Sequence, residues 1–306
     1  MKKPKVSIVL CCYNEEKYLP GCLEDLKKQT FTDYEVLVID DGSKDKTIEV
    51  ANKYKKQFKN FRIVKQKHAG LGSARNNGVK NSKGSIIFFH DADMRLDKNY
   101  IKTMIQPILK ENVKGTTHGQ EYATNLDNPW ARCWGKIRVL PTIKERIPHN
   151  YRCVQKKIFE KAAGFDPSWG YADDQSLTAK IGNAKLVENA IAYHNNPSTL
   201  KETYSQARWI GGSYKVKYHL MAAIFLFLAA FMTSAIFTED FLLSFEIFGS
   251  ILIGFYLFYV IYMTLKKTYK ENNLTLLYLY PIFITVRIYG SLAGVLRQFG
   301  EEAHLQ

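Results

Sequence analysis

The sequence predicts an α/β domain, a mostly parallel sheet flanked by helices, followed by C-terminal transmembrane helices. Three observations predict it. Short apolar, β-rich runs alternate with amphipathic stretches at the start of the chain, the rhythm of parallel strands joined by helices. Three long apolar stretches close it. Charge divides between the two parts. The 306 residues carry 43 Lys+Arg and 29 Asp+Glu, a net +14, yet only five of the basic and six of the acidic residues fall from Leu220 onward. The tail is therefore at −1 and the first 219 residues are at +15. Such a composition excludes intrinsic disorder, a collagen-like chain and a uniformly soluble globule.

In chain order, strands are expected at Val6–Cys12, Val36–Ile39, Phe61–Val64 and Ile86–Phe89, with helices over Glu16–Gln29, Asp45–Phe58 and Gly70–Ser82 between them. Ligands of such sheets bind beyond the carboxyl ends of the strands. The residues found there are Tyr13-Asn14-Glu15, Asp40-Asp41-Gly42-Ser43 and His90-Asp91-Ala92-Asp93. Gly70-Leu71-Gly72-Ser73-Ala74-Arg75 does not complete a dinucleotide-binding fingerprint, because Arg75 replaces the third glycine and the motif does not follow the first strand. It suits a helix start near a phosphate, with Arg75 as a binding residue. Asp91-x-Asp93 ends an apolar strand. Two carboxylates on a tight turn can share a divalent ion, Mn²⁺ or Mg²⁺, that also binds a diphosphate. Leaving both anions there without a partner would be costly. His68 and His90 read as structural.

Five cysteines, an odd count without a C-x-x-C pair, support neither a disulfide framework nor a zinc site and fit a reducing compartment. The N-terminus does not read as a signal peptide, which leaves the first part of the chain expected in the cytosol. Pro129 to Pro148 interleaves Trp130 and Trp134 with Arg132, Lys136, Arg138, Lys144 and Arg146, a pattern that suits an interfacial, membrane-resting element. The apolar stretches at 220–238, 241–265 and 274–296 are expected to give two to three transmembrane helices, the third either a span or a re-entrant or interfacial helix. The connection Thr238-Glu239-Asp240 is acidic and that over 266–273 carries Lys266, Lys267 and Lys270, so positive-inside logic places the head on the cytosolic side of a multi-pass membrane protein. Arg287 within the third stretch must face protein, water or a headgroup. The domain boundary is expected at 218/219.

The ordered motifs VSIVLCCYNEE (6–16), VLVIDDGSKDKT (36–47), HAGLGSARNNGVKNSKGSIIFFHDAD (68–93), GYADDQSL (170–177) and QARW (206–209) together resemble the inverting family 2 glycosyltransferases of the GT-A fold. The resemblance covers about residues 5–215. It implies that Cys12, Tyr13, Glu15, Asp40 and Asp41 lie at the nucleotide and that Asp93 and Asp91 hold the metal, with His194 as a third ligand. It assigns the general base to Asp173-Asp174, with Asp174 the residue chosen. It gives Arg208, Trp209 and Gln206 a place at the diphosphate, although this motif is one residue shorter than the family's. Cys11-Cys12 stands where many members have Pro-Thr, so a hydroxyl contact to the nucleotide is missing.

The chemistry agrees. Displacing a nucleoside diphosphate from an anomeric carbon needs charge neutralisation, a base and an in-line donor. The expected function is a metal-dependent hexosyl transfer from a nucleotide sugar to a lipid-linked acceptor, a polyprenyl (dolichyl-type) phosphate or lipid-linked saccharide, with membrane lipids as further partners. Alternatives are a processive polysaccharide synthase and a non-catalytic membrane-binding partner subunit. A nucleic-acid partner is not expected, because such a cleft would not line itself with Asp91, Asp93, Asp173 and Asp174.

Overall fold

The computed structural model describes residues 4–135, 137–139, 150–212 and 241–303. Its first strands and helices follow the alternation: β1 (Val6–Cys12), α1 (Leu19–Lys27), β2 (Tyr34–Asp40), α2 (Thr47–Tyr54), β3 (Phe61–Lys65), α3 (Leu71–Asn81) and β4 (Ile86–Asp91). The pairs β1–β2, β1–β4 and β2–β3 are parallel, with Cys12 opposite Asp40 and Cys11 opposite Asp91, so the three strand ends form one edge. All of β1 is buried, the mark of a strand covered on both faces. Val6, Ile8, Leu10 and Cys12 join one core cluster, and Val9 and Cys11 join the other. On this second side α3 approaches closely through Gly78, where a Cβ would overlap Val9.

The second half of the sheet mixes strand directions. It comprises β5 (Met94–Leu96), β6 (Gly115–Ala123), β7 (Ile137–Val139), β8 (Cys153–Gln155) and β9 (Lys185–His194). The order among the described strands is β3-β2-β1-β4-β8-β6-β9-β5, with β7 on β6. Only β6–β9 is parallel here; β4–β8, β6–β8, β6–β7 and β5–β9 are antiparallel. Local apolar runs cannot report strand direction, which is set by whether a helix or a short turn intervenes. β5 follows β4 after the turn Ala92-Asp93, yet β8, β6 and β9 separate the two in the sheet. A three-residue step covers only about 10 Å, so the sheet must curl until its last strand returns to the tip of β4. The remaining helices beside this half are α4 (Tyr100–Glu111), α6 (Lys156–Lys161) and α7 (Asp173–Ile181), numbered to leave α5 for the other unit.

The described chain packs as two compact units. Residues up to Thr124 and from Ile137 to Asn196 form the first; Asn125–Gly135 and the residues from Pro197 onward form the second. The boundary expected at 218/219 lies outside the described residues. The second unit contains α5 (Pro129–Trp134), α8 (Leu200–Gly211), α9 (Phe241–Glu271) and α10 (Leu276–Ala303). Asn128 caps α5 by accepting from the Trp130 and Ala131 amides at 2.9 and 3.0 Å. Cys133, Leu276, Tyr280, Phe283 and Ile284 form its core with Trp130 and Trp134 packed against it. The Arg287 guanidinium lies 4.4 Å from the Trp134 ring centroid and 5.6 Å from that of Phe283, so it faces protein and gains a cation–π contact. α8 crosses α10 backbone to backbone. A Cβ at Gly294 would overlap the Arg208 carbonyl oxygen, one at Gly211 the Ser291 carbonyl oxygen, and one at Gly290 would lie 2.6 Å from the Tyr204 carbonyl oxygen.

Among the described residues, Leu276–Arg297 is long and apolar enough to cross a membrane by length and composition. The stretch expected at 241–265 falls on α9, which exposes Ile253, Phe255, Phe258 and Ile261. The stretch at 220–238 lies outside the described residues, as does most of 129–148 beyond α5.

Candidate active site

The loops after β1 and β2 are stitched together. Asn14, in the left-handed region at φ 58°, donates its amide to Ser43 Oγ at 3.0 Å and accepts from the Lys44 amide at 2.8 Å. The Glu15 amide donates to Thr47 Oγ1 at 2.7 Å. Asp40 accepts the Ser43 amide at 3.2 Å. Asp41 organises the next loop: its carboxylate accepts from Gln66 Nε2 and the Ala69 amide at 2.8 Å and from the Gly70 amide at 2.9 Å, and pairs with His68 Nδ1 at 2.9 Å. Gly70 supplies the positive φ (+86°) that this turn into α3 requires. Tyr13, 41% exposed, stacks on His68 with centroids 4.2 Å apart. The pair presents an aromatic face at the strand-end edge. His68, read as structural, thus supports a candidate binding residue. Strand parity turns the Cys12 side chain into the core, 2% exposed, while its carbonyl accepts from the Asp41 amide at 2.9 Å at the strand-end edge.

Four charges form a chain beside this edge. Arg75 Nη1 donates to both oxygens of Asp173 at 3.2 Å, and its Nη2 donates to Asp91 Oδ1 at 3.0 Å. Arg152 Nη1 donates to Asp91 Oδ2 at 2.6 Å. Burial would raise Asp91, but the Arg152 and Arg75 guanidiniums outweigh it and hold the carboxyl well below the usual range. Burial pushes Asp173 up to about 6 against the pull of Arg75. Gly72 lets α3 come this near, since a Cβ there would already lie 3.1 Å from Asp173 Oδ2. The G-x-G pattern here serves helix packing and brings Arg75 to Asp173 and Asp91.

Asp93 and His194 also meet. Met94 is opposite His194 in the β5–β9 ladder, which sets Asp93 Oδ2 2.9 Å from His194 Nε2. Burial and then the charges of Asp93, Asp91 and Asp45 push Glu15 up to about 8. This excess of hard anionic oxygens suits a divalent cation. Asp93 and His194 have the donor chemistry to hold one, whereas both oxygens of Asp91 are engaged by guanidiniums. Among the described residues, no three His, Cys, Asp or Glu side chains converge as a ready ligand set.

Asp174, one residue past Asp173 at the start of α7, points to a different partner: it accepts from Asn150 Nδ2 at 2.8 Å, and Asn150 Oδ1 accepts from Thr178 Oγ1 at 3.2 Å. Gln206, Arg208 and Trp209 lie on α8 in the second unit. Trp209 is 46% exposed, and Gln206 Oε1 is buried without a hydrogen-bond partner among the described residues. Asn150 and Arg152 belong to none of the sequence motifs. His90 stacks on Phe88 with ring centroids 5.4 Å apart.

The sequence model of the family described as Glycosyl transferase family 2 matches residues 7–164. EpsH of Bacillus subtilis (strain 168), named a glycosyltransferase, is 35% identical over 106 residues, covering 35% of this chain and 31% of that protein. The glycosyltransferase EpsJ of the same strain is 27% identical over 223 residues, 65% of this chain and 63% of EpsJ. Staphylococcus aureus TarS 1-349 in complex with UDP superposes with a TM-score of 0.52 at 21% identity, over 68% of this chain and 64% of that one, a likeness of fold. The chain spans less than two thirds of each of these proteins.

Proposed function

Since the chain belongs to glycosyl transferase family 2, we propose that it is a membrane-anchored, metal-dependent, inverting enzyme that moves a sugar from a nucleotide-sugar donor to a lipid-linked acceptor. The observation that carries the reading is the strand-end cleft. Asp93 with His194, the Asp173–Arg75–Asp91–Arg152 chain and Asp174 lie on elements of one curled sheet and its helices.

In the proposed reaction the acceptor oxygen attacks the anomeric carbon from the face opposite the leaving group. The bond from that carbon to the diphosphate breaks, and its electron pair leaves with the nucleoside diphosphate. Asp174 accepts the proton of a hydroxyl acceptor, aimed by Asn150. A phosphate acceptor is already anionic and needs the base less. Bound Mn²⁺ or Mg²⁺, held by Asp93 and His194, would supply neutralisation of the diphosphate. Tyr13, supported by His68, offers a stacking face to the base, and Glu15, Asp40 and Asp41 shape the loops beside it. Gln206, Arg208 and Trp209 keep the diphosphate-binding role that the family resemblance gives them.

The lipid acceptor is supported by the apolar stretch Leu276–Arg297 and the exposed apolar side chains of α9, which water would disfavour. With the head cytosolic, donor and lipid acceptor would meet at that face of the membrane. The test is a screen of nucleotide sugars against extracted membrane lipids, with Mn²⁺ or Mg²⁺ and mass analysis of the product. One sugar on a lipid is expected, and a long polymer would replace this reading by a processive one. No transfer from any nucleotide sugar, together with donor binding by Asp93→Ala equal to wild type, would end it.

A further inference from the structure

Asp91 is gripped from both sides, but the two guanidiniums are not equivalent. Arg75 spends its donors on Asp173 and Asp91, lies over the Phe165 ring at 5.7 Å, and its side chain is 7% exposed. Arg152 gives one hydrogen bond, to Asp91 Oδ2, and its side chain is 22% exposed. Five donors sit in the guanidinium fork, and among the described residues the remainder of those on Arg152 are unspent. The side chain is part-exposed, so these N–H groups are open to a ligand that replaces water.

The rest of Arg152 is fixed. Its amide donates to the Thr116 carbonyl at 3.0 Å and its carbonyl accepts from the Phe89 amide at 2.8 Å, which locks the backbone between β4 and β6. A buried polar chain stands close by: the Tyr100 hydroxyl is 2.6 Å from His118 Nδ1, and His118 Nε2 is 3.2 Å from Glu121 Oε2. Burial opposes ionisation of Glu121, but the His118 hydrogen bond and the charge of Arg152 hold its carboxyl low. Glu121 and Asp91 therefore balance the guanidinium's charge, and the hydrogen bond to Asp91 aims it without using up its fork.

We propose that Arg152 is a substrate-binding residue whose unspent N–H groups receive a phosphate of the substrate, with Asp91 aiming the guanidinium. The proposal rests on the glycosyl-transfer reading above and adds a residue to it. A planar fork of this kind suits a phosphate in a way that lysine does not. The phosphate is either the donor's diphosphate or a phosphate on the acceptor lipid.

Calorimetry on the full chain in detergent with Mn²⁺ separates these sources, with pyrophosphate, farnesyl phosphate and uridine as probes. Arg152→Gln is expected to weaken pyrophosphate or farnesyl phosphate by about tenfold, the scale of a lost charged hydrogen bond, and Arg152→Lys by less. Uridine binding should be unchanged. The phosphate that weakens identifies the source. Both phosphates binding Arg152→Gln within about twofold of wild type, or neither binding wild type, overturns the proposal. If Arg152→Gln does not fold, unchanged affinity of Arg152→Lys for both phosphates overturns it. Wild type that binds pyrophosphate through Arg152 but transfers no sugar would sink the glycosyl-transfer reading and leave this one standing.

Discussion

In the first unit, Asp173, Arg75, Asp91 and Arg152 are placed by charge, through hydrogen bonds of 2.6 to 3.2 Å between alternating ions. In the second, the crossing of α8 and α10 is placed by shape, through Gly211, Gly290 and Gly294, where backbone meets backbone. The first arrangement tells Asp from Asn and responds to pH. The second is blind to charge but cannot admit a methyl group. One molecule thus carries two kinds of sensitivity, and substitutions can be chosen to probe each separately.

The largest effect is expected where shape is kept and charge removed. Asp174→Asn should lower turnover by about 10²–10⁴-fold, the range of a lost general base, with little change in melting temperature. Full turnover with a hydroxyl acceptor would show that this carboxylate is not the base. The converse change adds one methyl and no charge. Gly294→Ala should cost about 1–3 kcal/mol, as overpacking does, in thermal melts in detergent. Gly254→Ala on α9, where a Cβ meets nothing within 4 Å, should cost nothing because alanine is the better helix former. Equal melts for the two would break the contrast.

A smaller effect is expected of Asn150→Ala, which leaves Asp174 in place without its orienting donor. We expect about a tenfold fall in kcat, the scale of one hydrogen bond to a charged group, and an unchanged donor KM. A rise in KM alone would move Asn150 from the base to the donor. The smallest effect is one of pH. Glu15 is raised from 4.5 to about 8 by burial and by Asp93 and Asp91, so the folded state favours its protonated form. That contribution to stability is complete below pH 4.5 and is lost as pH rises towards 8. Metal-free Glu15→Gln should therefore melt with a flatter pH profile than wild type across that window. Parallel profiles would remove Glu15 from the charged cluster.

Much of this was legible in the sequence for a simple reason. β1 coincides with its predicted span because a seven-residue run broken by one serine between polar flanks leaves one choice, and β4 and α3 follow from equally strong local patterns. The inward turn of the Cys12 side chain is legible too, from its parity with Val6, Ile8 and Leu10. The family resemblance chooses Asp174 over Asp173, and the structure adds about 100° of helix rotation between them and a different partner for each. Arg152 and Asn150 were out of reach. Their roles depend on β8 lying antiparallel against β4, and a three-residue strand has no periodicity that announces its neighbour.

The strand order has a consequence for how the chain is made. β1 to β4 are contiguous in sequence, and their parallel pairings close within the first part synthesised. The other edge of β4 has to wait: Phe88 pairs with Cys153, and β5 waits longer still, for Ala192 to His194. Chains emerge at about 5–20 residues per second, so for some seconds the nascent protein carries an open, strongly apolar strand edge at its centre. Such edges invite pairing with other chains. Slow translation between β4 and β8 should therefore raise the aggregated fraction, while the same pause after β9 should not.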